Sequence, residues 1–138
     1  MRGMKPWWMT LVGLLLAVNV VRAEGVEWPS TQIARHAQAW FAMLTADDAA
    51  ARAFFAEHMA VTALAQAGID ERLQRRAATV ERTGGLTPLE VGDDDVTHLA
   101  VRCKAGNGDL VVAMFEAEAA EGHRLVGVRL EARPPGDG

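Results

Sequence analysis

Tyrosine is absent from this chain, and serine and cysteine each occur once. A lone cysteine, Cys103, forms no internal disulfide, so no staple helps hold the fold. The lone serine, Ser30, lies in Ser-Thr-Gln-Ile and lacks the lysine three residues on that a penicillin-binding type nucleophile uses. The patterns G-x-S-x-G and H-E-x-x-H and a phosphate-cradling glycine loop are missing as well. These gaps exclude serine and metallopeptidase chemistry of those kinds. With no phenol to call on, acid–base work falls to histidines and carboxylates.

Basic charge is also in short supply. The formal charge of the whole chain is −4, and loss of Arg2, Lys5 and Arg22 with an N-terminal segment would bring it to −7. An acidic excess of that size argues against nucleic acid and against anionic membrane surfaces as partners. That N-terminal segment has a recognisable layout. Arg2 and Lys5 precede an apolar run from Met9 to Val21, and Val21-Arg22-Ala23 closes it with small residues. The run has 13 residues, short for crossing a bilayer core of about 30 Å. Residues 1–23 are therefore expected to be a cleaved secretory signal, leaving a periplasmic or secreted chain without a membrane anchor. No cysteine stands at the cleavage point to make a lipoprotein.

The 115 residues that follow suffice for one domain. After a lead at 24–30, Ser30 or Thr31 is placed to cap a helix. Ile33, Ala37, Trp40, Phe41 and Leu44 then fall on one stripe of it. Thr45 is expected to cap a second helix, with Asp47 and Asp48 in its first turn and Ala51, Phe54, Phe55, His58 and Met59 on its apolar face. A third covers Ile69, Leu73, Ala77 and Val80 and stops at Gly84-Gly85. It carries Arg72, Arg75, Arg76 and Arg82, which with Glu71, Asp70 and Glu81 nearby read as a solvated face.

Beyond the glycines the period drops to two. Strands are expected at 96–103, 109–118 and 123–131, with a weaker one at 86–91, joined by turns at 92–95, 105–108 and 119–122. Turns this short make an antiparallel meander. The fold class is α+β, with about three N-terminal helices packed on one face of a curved antiparallel sheet of about four strands, in a domain spanning 31–132. A tail at 133–138, rich in proline and glycine, is expected to be disordered. Cys103 alternates with Leu99 and Val101 and reads as a core residue, an intermolecular disulfide being the alternative. The acidic run at 93–95 lacks the alternation of a calcium loop.

The segments WFAMLTADDAAARAFFAEHM and IDERLQRRAATVERTGG, followed by strands ending in LVGVRLE, resemble a small secreted domain of the nuclear transport factor two-like, cystatin-like superfamily. The likeness spans about residues 31 to 132. It implies helices closing a cone over a bent sheet, and domains of this kind in bacteria often sit just ahead of a beta-lactamase-like serine hydrolase or a carboxy-terminal processing protease. Here no hydrolase follows within the 138 residues. Members that are isomerases, dehydratases or cyclases place an acid or base inside the cone.

On that basis the pocket candidates are Trp40, Phe41, Phe54, Phe55, His58 and Met114. His58 is the one candidate for a catalytic base, ahead of His36 and His98; its alternative role is a bond to a last-turn carbonyl of its own helix. Four scattered histidines lack ligand spacing, so no metal is expected, and no cofactor is implied. The strand Leu110-Val-Val-Ala-Met-Phe115 is apolar on both faces. Its face made by Val111, Ala113 and Phe115 is taken as the candidate interface, for a homodimer or another protein, unless the strand bends into the cone. The functional expectation is an exported, non-catalytic domain that binds a protein partner or a small apolar ligand, possible work beside a separately encoded hydrolase included. The alternative is a small cofactor-independent lyase or isomerase with an acid/base residue in the cone.

Overall fold

Thr31 does cap the first helix. In this computed structural model, which describes residues 26–133, its hydroxyl accepts from the Ala34 amide at 3.2 Å. The expected signal at 1–23 and the tail beyond Arg133 lie outside the described residues. Helix α1 (Gln32–Leu44) buries Ile33, Ala37, Trp40, Phe41 and Leu44, the stripe that the 3.6-residue period predicts. Helix α2 (Asp48–His58) is capped by Asp47, whose carboxylate accepts from Ala50 at 2.8 Å. Thr45, the residue expected there, instead ends α1. A carboxylate two residues closer to the free amides outcompetes the hydroxyl.

A short helix, α3 (Val61–Gln66), was not expected. It has no side-chain cap and buries only Ala63, which leaves little periodic signal. Helix α4 (Ile69–Thr83) follows and ends at Gly84, in the left-handed conformation with φ +78°. No described helix is long and apolar enough to cross a membrane.

The strands β1 (Leu86–Asp94), β2 (His98–Ala105), β3 (Leu110–Ala117) and β4 (Leu125–Arg133) form a sheet in sequence order, each antiparallel to the next. The class is α+β, as expected, with the helices against one face. Helix α1 crosses that face, touching β1, β2 and β3. Leu99, Val101 and Cys103 of β2 point to it and are at most 2% exposed. Burial pushes the Cys103 thiol up to about 12.

One assignment is reversed. Val111, Ala113 and Phe115, taken as an interface, lie in the core beneath α1. The Phe115 ring meets Trp40 edge to face at 5.4 Å and lies 5.8 Å from Phe41. The register enforces this, because Leu99 pairs with Phe115, Val101 with Ala113 and Cys103 with Val111, and directly paired residues share a face. The outer face therefore carries Leu110, Val112 and Met114. Val112 sits between Arg102 and Glu131 in the ladder and is only 9% exposed, so its shielding comes from within the chain. Met114 receives the Arg129 guanidinium at 3.4 Å from its sulfur.

Candidate functional site

Helix α4 is fastened at both ends. Asp70 in its first turn pairs with Arg52 of α2 at 2.6 Å. At the other end the Asn107 amide donates to the Thr83 carbonyl at 3.0 Å and the Gly106 amide to the Gly85 carbonyl at 2.9 Å, docking α4 onto the turn between β2 and β3. A Cβ on Gly106 would collide with the Gly84 carbonyl, so this approach requires glycine. On the opposite side of the site, β4 is an edge strand. Its first residue, Leu125, accepts from the Ala60 amide at 2.8 Å, which fixes the chain just after α2 beside the sheet.

Between these anchored elements lies a cavity of about 330 Å³. Its floor is apolar: Trp40, Met43 and Leu44 from α1, Phe55 and Met59 from the end of α2, Val128 and Leu130 from β4. Its other wall is α4, which presents Arg72, Arg75, Arg76, Thr79 and Arg82. Steps of three and four residues put these side chains on one helical face. Ile69, Leu73 and Val80 are only partly buried, and Ala77 is exposed. The wall is thus polar where an ordinary core helix would be apolar.

The arginines divide into two kinds. Arg76, whose side chain is 12% exposed, donates from Nε to the Met43 carbonyl at 3.0 Å and from Nη2 to the Ala46 carbonyl, and lies 3.4 Å from Asp48. Arg72 donates to the Ala63 and Ala67 carbonyls, both at 2.7 Å. Each guanidinium therefore sits at the C-terminal end of another helix, α1 or α3, where the helix dipole favours a cation, and adds a donor to last-turn carbonyls of which those of Met43 and Ala63 also accept a backbone amide. Burial holds the Arg72 guanidinium below its ordinary pKa, and the positive charge of Arg75 adds to that. The solvated-face expectation fails for these two.

It holds for Arg75, which makes an exposed pair with Glu71 at 2.8 Å. Arg82 has no carboxylate partner among the described residues. Arg129 borders the cavity from β4, but its guanidinium reaches Met114 and Glu131 on the outer sheet face. Among the described residues no carboxylate lines the cavity.

The six pocket candidates are not brought together. Trp40 and Phe55 line the cavity. Phe41 packs on Trp28 and Phe115 in the core. Phe54 and His58 border a separate, shallow hollow of about 270 Å³ against α1. Met114 faces away on the far side of the sheet. Sequence reasoning missed Met43, Met59, Val128 and Leu130 as lining residues, and it took the arginines for solvent-facing. A shared face at 72, 75, 76, 79 and 82 was the available signal.

His58 has a defined structural partner. The His36 Nε2 donates to the Gly122 carbonyl at 2.8 Å, which leaves its Nδ1 as an acceptor, 2.9 Å from His58 Nδ1. His58 Nδ1–H is therefore the donor of the pair, and the two rings join α1, α2 and the turn before β4. The His58 ring also stacks on Phe54 at 5.0 Å. Burial lowers its pKa below 6.5, as does His36, against the opposing pull of Glu57 and with a smaller lowering by Arg124. Its partner is thus another histidine, where a last-turn carbonyl was the expected alternative. His98 is exposed, bonded to Thr97, and lines neither hollow. Among the described residues no group of three or more His, Cys, Asp or Glu side chains could hold a metal ion.

No protein-family model, no curated protein and no solved structure matches the chain.

Proposed function

We propose that this chain is a non-catalytic binding domain that takes a small ligand with an apolar body into the cavity between α4 and β4. The observation that carries the proposal is the cavity's apolar floor. Trp40, Met43, Leu44, Phe55 and Met59 are each at most 8% exposed, yet they border open space of about 330 Å³ beside the arginine face of α4. That volume lies within the range of about 300–1,000 Å³ usual for small-molecule sites. The polar groups of the cavity support binding over catalysis. Among the described residues they are guanidiniums, which have donors and no acceptor, and the Thr79 hydroxyl, so none of these lining groups is a ready general base. His58, the base that a lyase or isomerase would need, stands outside.

Export belongs to the proposal, because residues 1–23 have the layout of a secretory signal. So does an accessory role beside a separately encoded hydrolase, for which the resemblance to secreted domains is the only support.

The test uses the neutral dye N-phenyl-1-naphthylamine, with Trp40 in the cavity wall as energy donor. One dye per chain should bind. Thr79→Trp, which fills the cavity from α4, should abolish binding while leaving the circular dichroism spectrum unchanged. Equal uptake by the filled variant, or none by the native protein, would sink the proposal.

A further inference from the structure

Two arginines on the cavity wall contribute little to the fold: Arg75 makes an exposed pair with Glu71, and Arg82 lies in the last turn of its own helix. Arg72 and Arg76 close the ends of other helices, whereas Arg75 and Arg82 bond no carbonyl of another element. Arg72 stands three residues before Arg75 and four before Arg76, and like charges so spaced destabilise a helix by about 0.2–0.5 kcal/mol per pair. Arg72 and Arg76 offset that cost through the carbonyls they bond. Arg75 has only its exposed pair with Glu71 to do so.

Thr79 lies between them, four residues after Arg75 and three before Arg82, on the same face. A hydroxyl flanked on both sides by long, mobile guanidiniums is a receptor for a planar anion, and guanidinium matches carboxylate with two parallel hydrogen bonds. The exposed bond from Arg75 to Glu71 presents no obstacle, because surface pairs are worth only about 0–1 kcal/mol and exchange readily.

Resting on the binding function proposed above, we infer that the ligand is an amphipathic carboxylate, its aliphatic chain on the Trp40–Phe55 floor and its head group held by Arg75, Thr79 and Arg82. Charge complementarity selects this occupant: among the described residues no carboxylate lines the cavity, and α4's own Asp70, Glu71 and Glu81 are exposed off the wall. The Arg72 pKa is lowered first by burial and then by Arg75, against the opposing pull of Glu71, which agrees with positive charge on this face.

The test measures displacement of N-phenyl-1-naphthylamine by decanoate, decanol and decyltrimethylammonium, using the native protein and the double variant Arg75→Met/Arg82→Met. Both positions are exposed, and circular dichroism confirms that the variant folds. Decanoate should displace the dye at least about tenfold more tightly than decanol, the advantage expected of one charge-assisted hydrogen bond. The double variant should erase that advantage of decanoate over decanol, and added salt should shrink it in the native protein. Decanol binding as tightly as decanoate overturns the carboxylate inference and leaves the cavity function standing. A preference for decanoate that survives in the double variant overturns the assignment to these arginines, and a preference for the cationic amphiphile overturns it outright. If neither the dye nor any of the three compounds binds, the cavity function and the inference fall together.

Discussion

Arg76→Met separates an arginine that holds the fold from one that can hold a ligand. The substitution keeps an apolar stem of similar length but removes the donors that reach the Met43 carbonyl at 3.0 Å and the Ala46 carbonyl. The Met43 carbonyl, in the last turn of α1, also accepts from the Ala46 amide at 3.2 Å, whereas the Ala46 carbonyl lies just past the helix end, where intrahelical donors have run out. Hydrogen bonds from a charged donor contribute about 1.5–3 kcal/mol each, and water entering the vacated space recovers part of that. The contact with Asp48, whose side chain is 85% exposed, adds almost nothing. The net cost should be about 2–4 kcal/mol. At roughly 5 °C per kcal/mol for a domain of this size, Tm should fall on the order of 10–20 °C. Urea unfolding followed by tryptophan fluorescence reads the change directly, with an unaltered m-value showing that the same two states are compared. Arg75→Met is the companion, its side chain being 62% exposed and paired only with Glu71, so its effect should stay within about 0.5 kcal/mol. If the two variants unfold at the same urea concentration, the division of the arginines is wrong.

Phe115→Ala should cost about 3–5 kcal/mol, whereas Met114→Ala, one residue away on the outer face, should cost about 1 kcal/mol or less; comparable losses in urea unfolding would show that the sheet faces are misassigned. His58 has a lowered pKa in the folded protein, so between that value and the unfolded value of 6.5 the unfolded chain binds more protons and stability rises with pH. Its contribution is fully present above pH 6.5 and declines as pH falls towards the lowered folded value, so His58→Gln should lose less stability than the native protein between pH 7.5 and 5.5. Equal losses in paired urea titrations would count against the buried pair with His36. Cys103, fully buried and with its thiol pushed up to about 12, should react with Ellman's reagent only in denaturant. Prompt labelling of the folded chain would contradict that burial.

Much of the architecture was legible because its signals are local. The α1 stripe, the glycine stop after Thr83 and the turn between β2 and β3 each depend on spacing within a dozen residues, whereas the turn expected at 92–95 falls mostly inside β1 and the true break is at 95–97. The faces of β3 were less legible. Alternation shows which of its residues share a face, but in Leu-Val-Val-Ala-Met-Phe both sets are apolar and the inward one is undetermined. β2 resolves it, since His98, Arg102 and Lys104 must point outward and Leu99, Val101 and Cys103 inward, and pairing passes that choice to Phe115, Ala113 and Val111. The pairing register was the missing quantity, and it depends on turn geometry rather than on either strand alone. Helix α3 was missed for a different reason: six residues with no cap and one buried alanine carry almost no periodic signal, so Arg72 had no visible carbonyls to serve.

The same absence explains why the site was hidden. Charge counting along α4 finds each arginine near a carboxylate and assigns them all to solvent, because the carbonyls that claim two of them come from residues 43, 46, 63 and 67, on other helices. Two helix C-termini converge beneath one face of α4, and each needs a cation there. Meeting that need fills the wall with long polar side chains where Leu or Ile would otherwise close onto the edge strand. Leu73 and Val80 of α4 are left only partly buried, and Val128 and Leu130 of β4 border open space. The cavity thus follows from how the helix ends are satisfied. It should outlast the loss of Arg75 and Arg82, but not that of Arg72 and Arg76. A solvatochromic dye that still enters Arg75→Met/Arg82→Met but is excluded from Arg72→Leu/Arg76→Leu would distinguish the arginines that make the space from those that read what enters it.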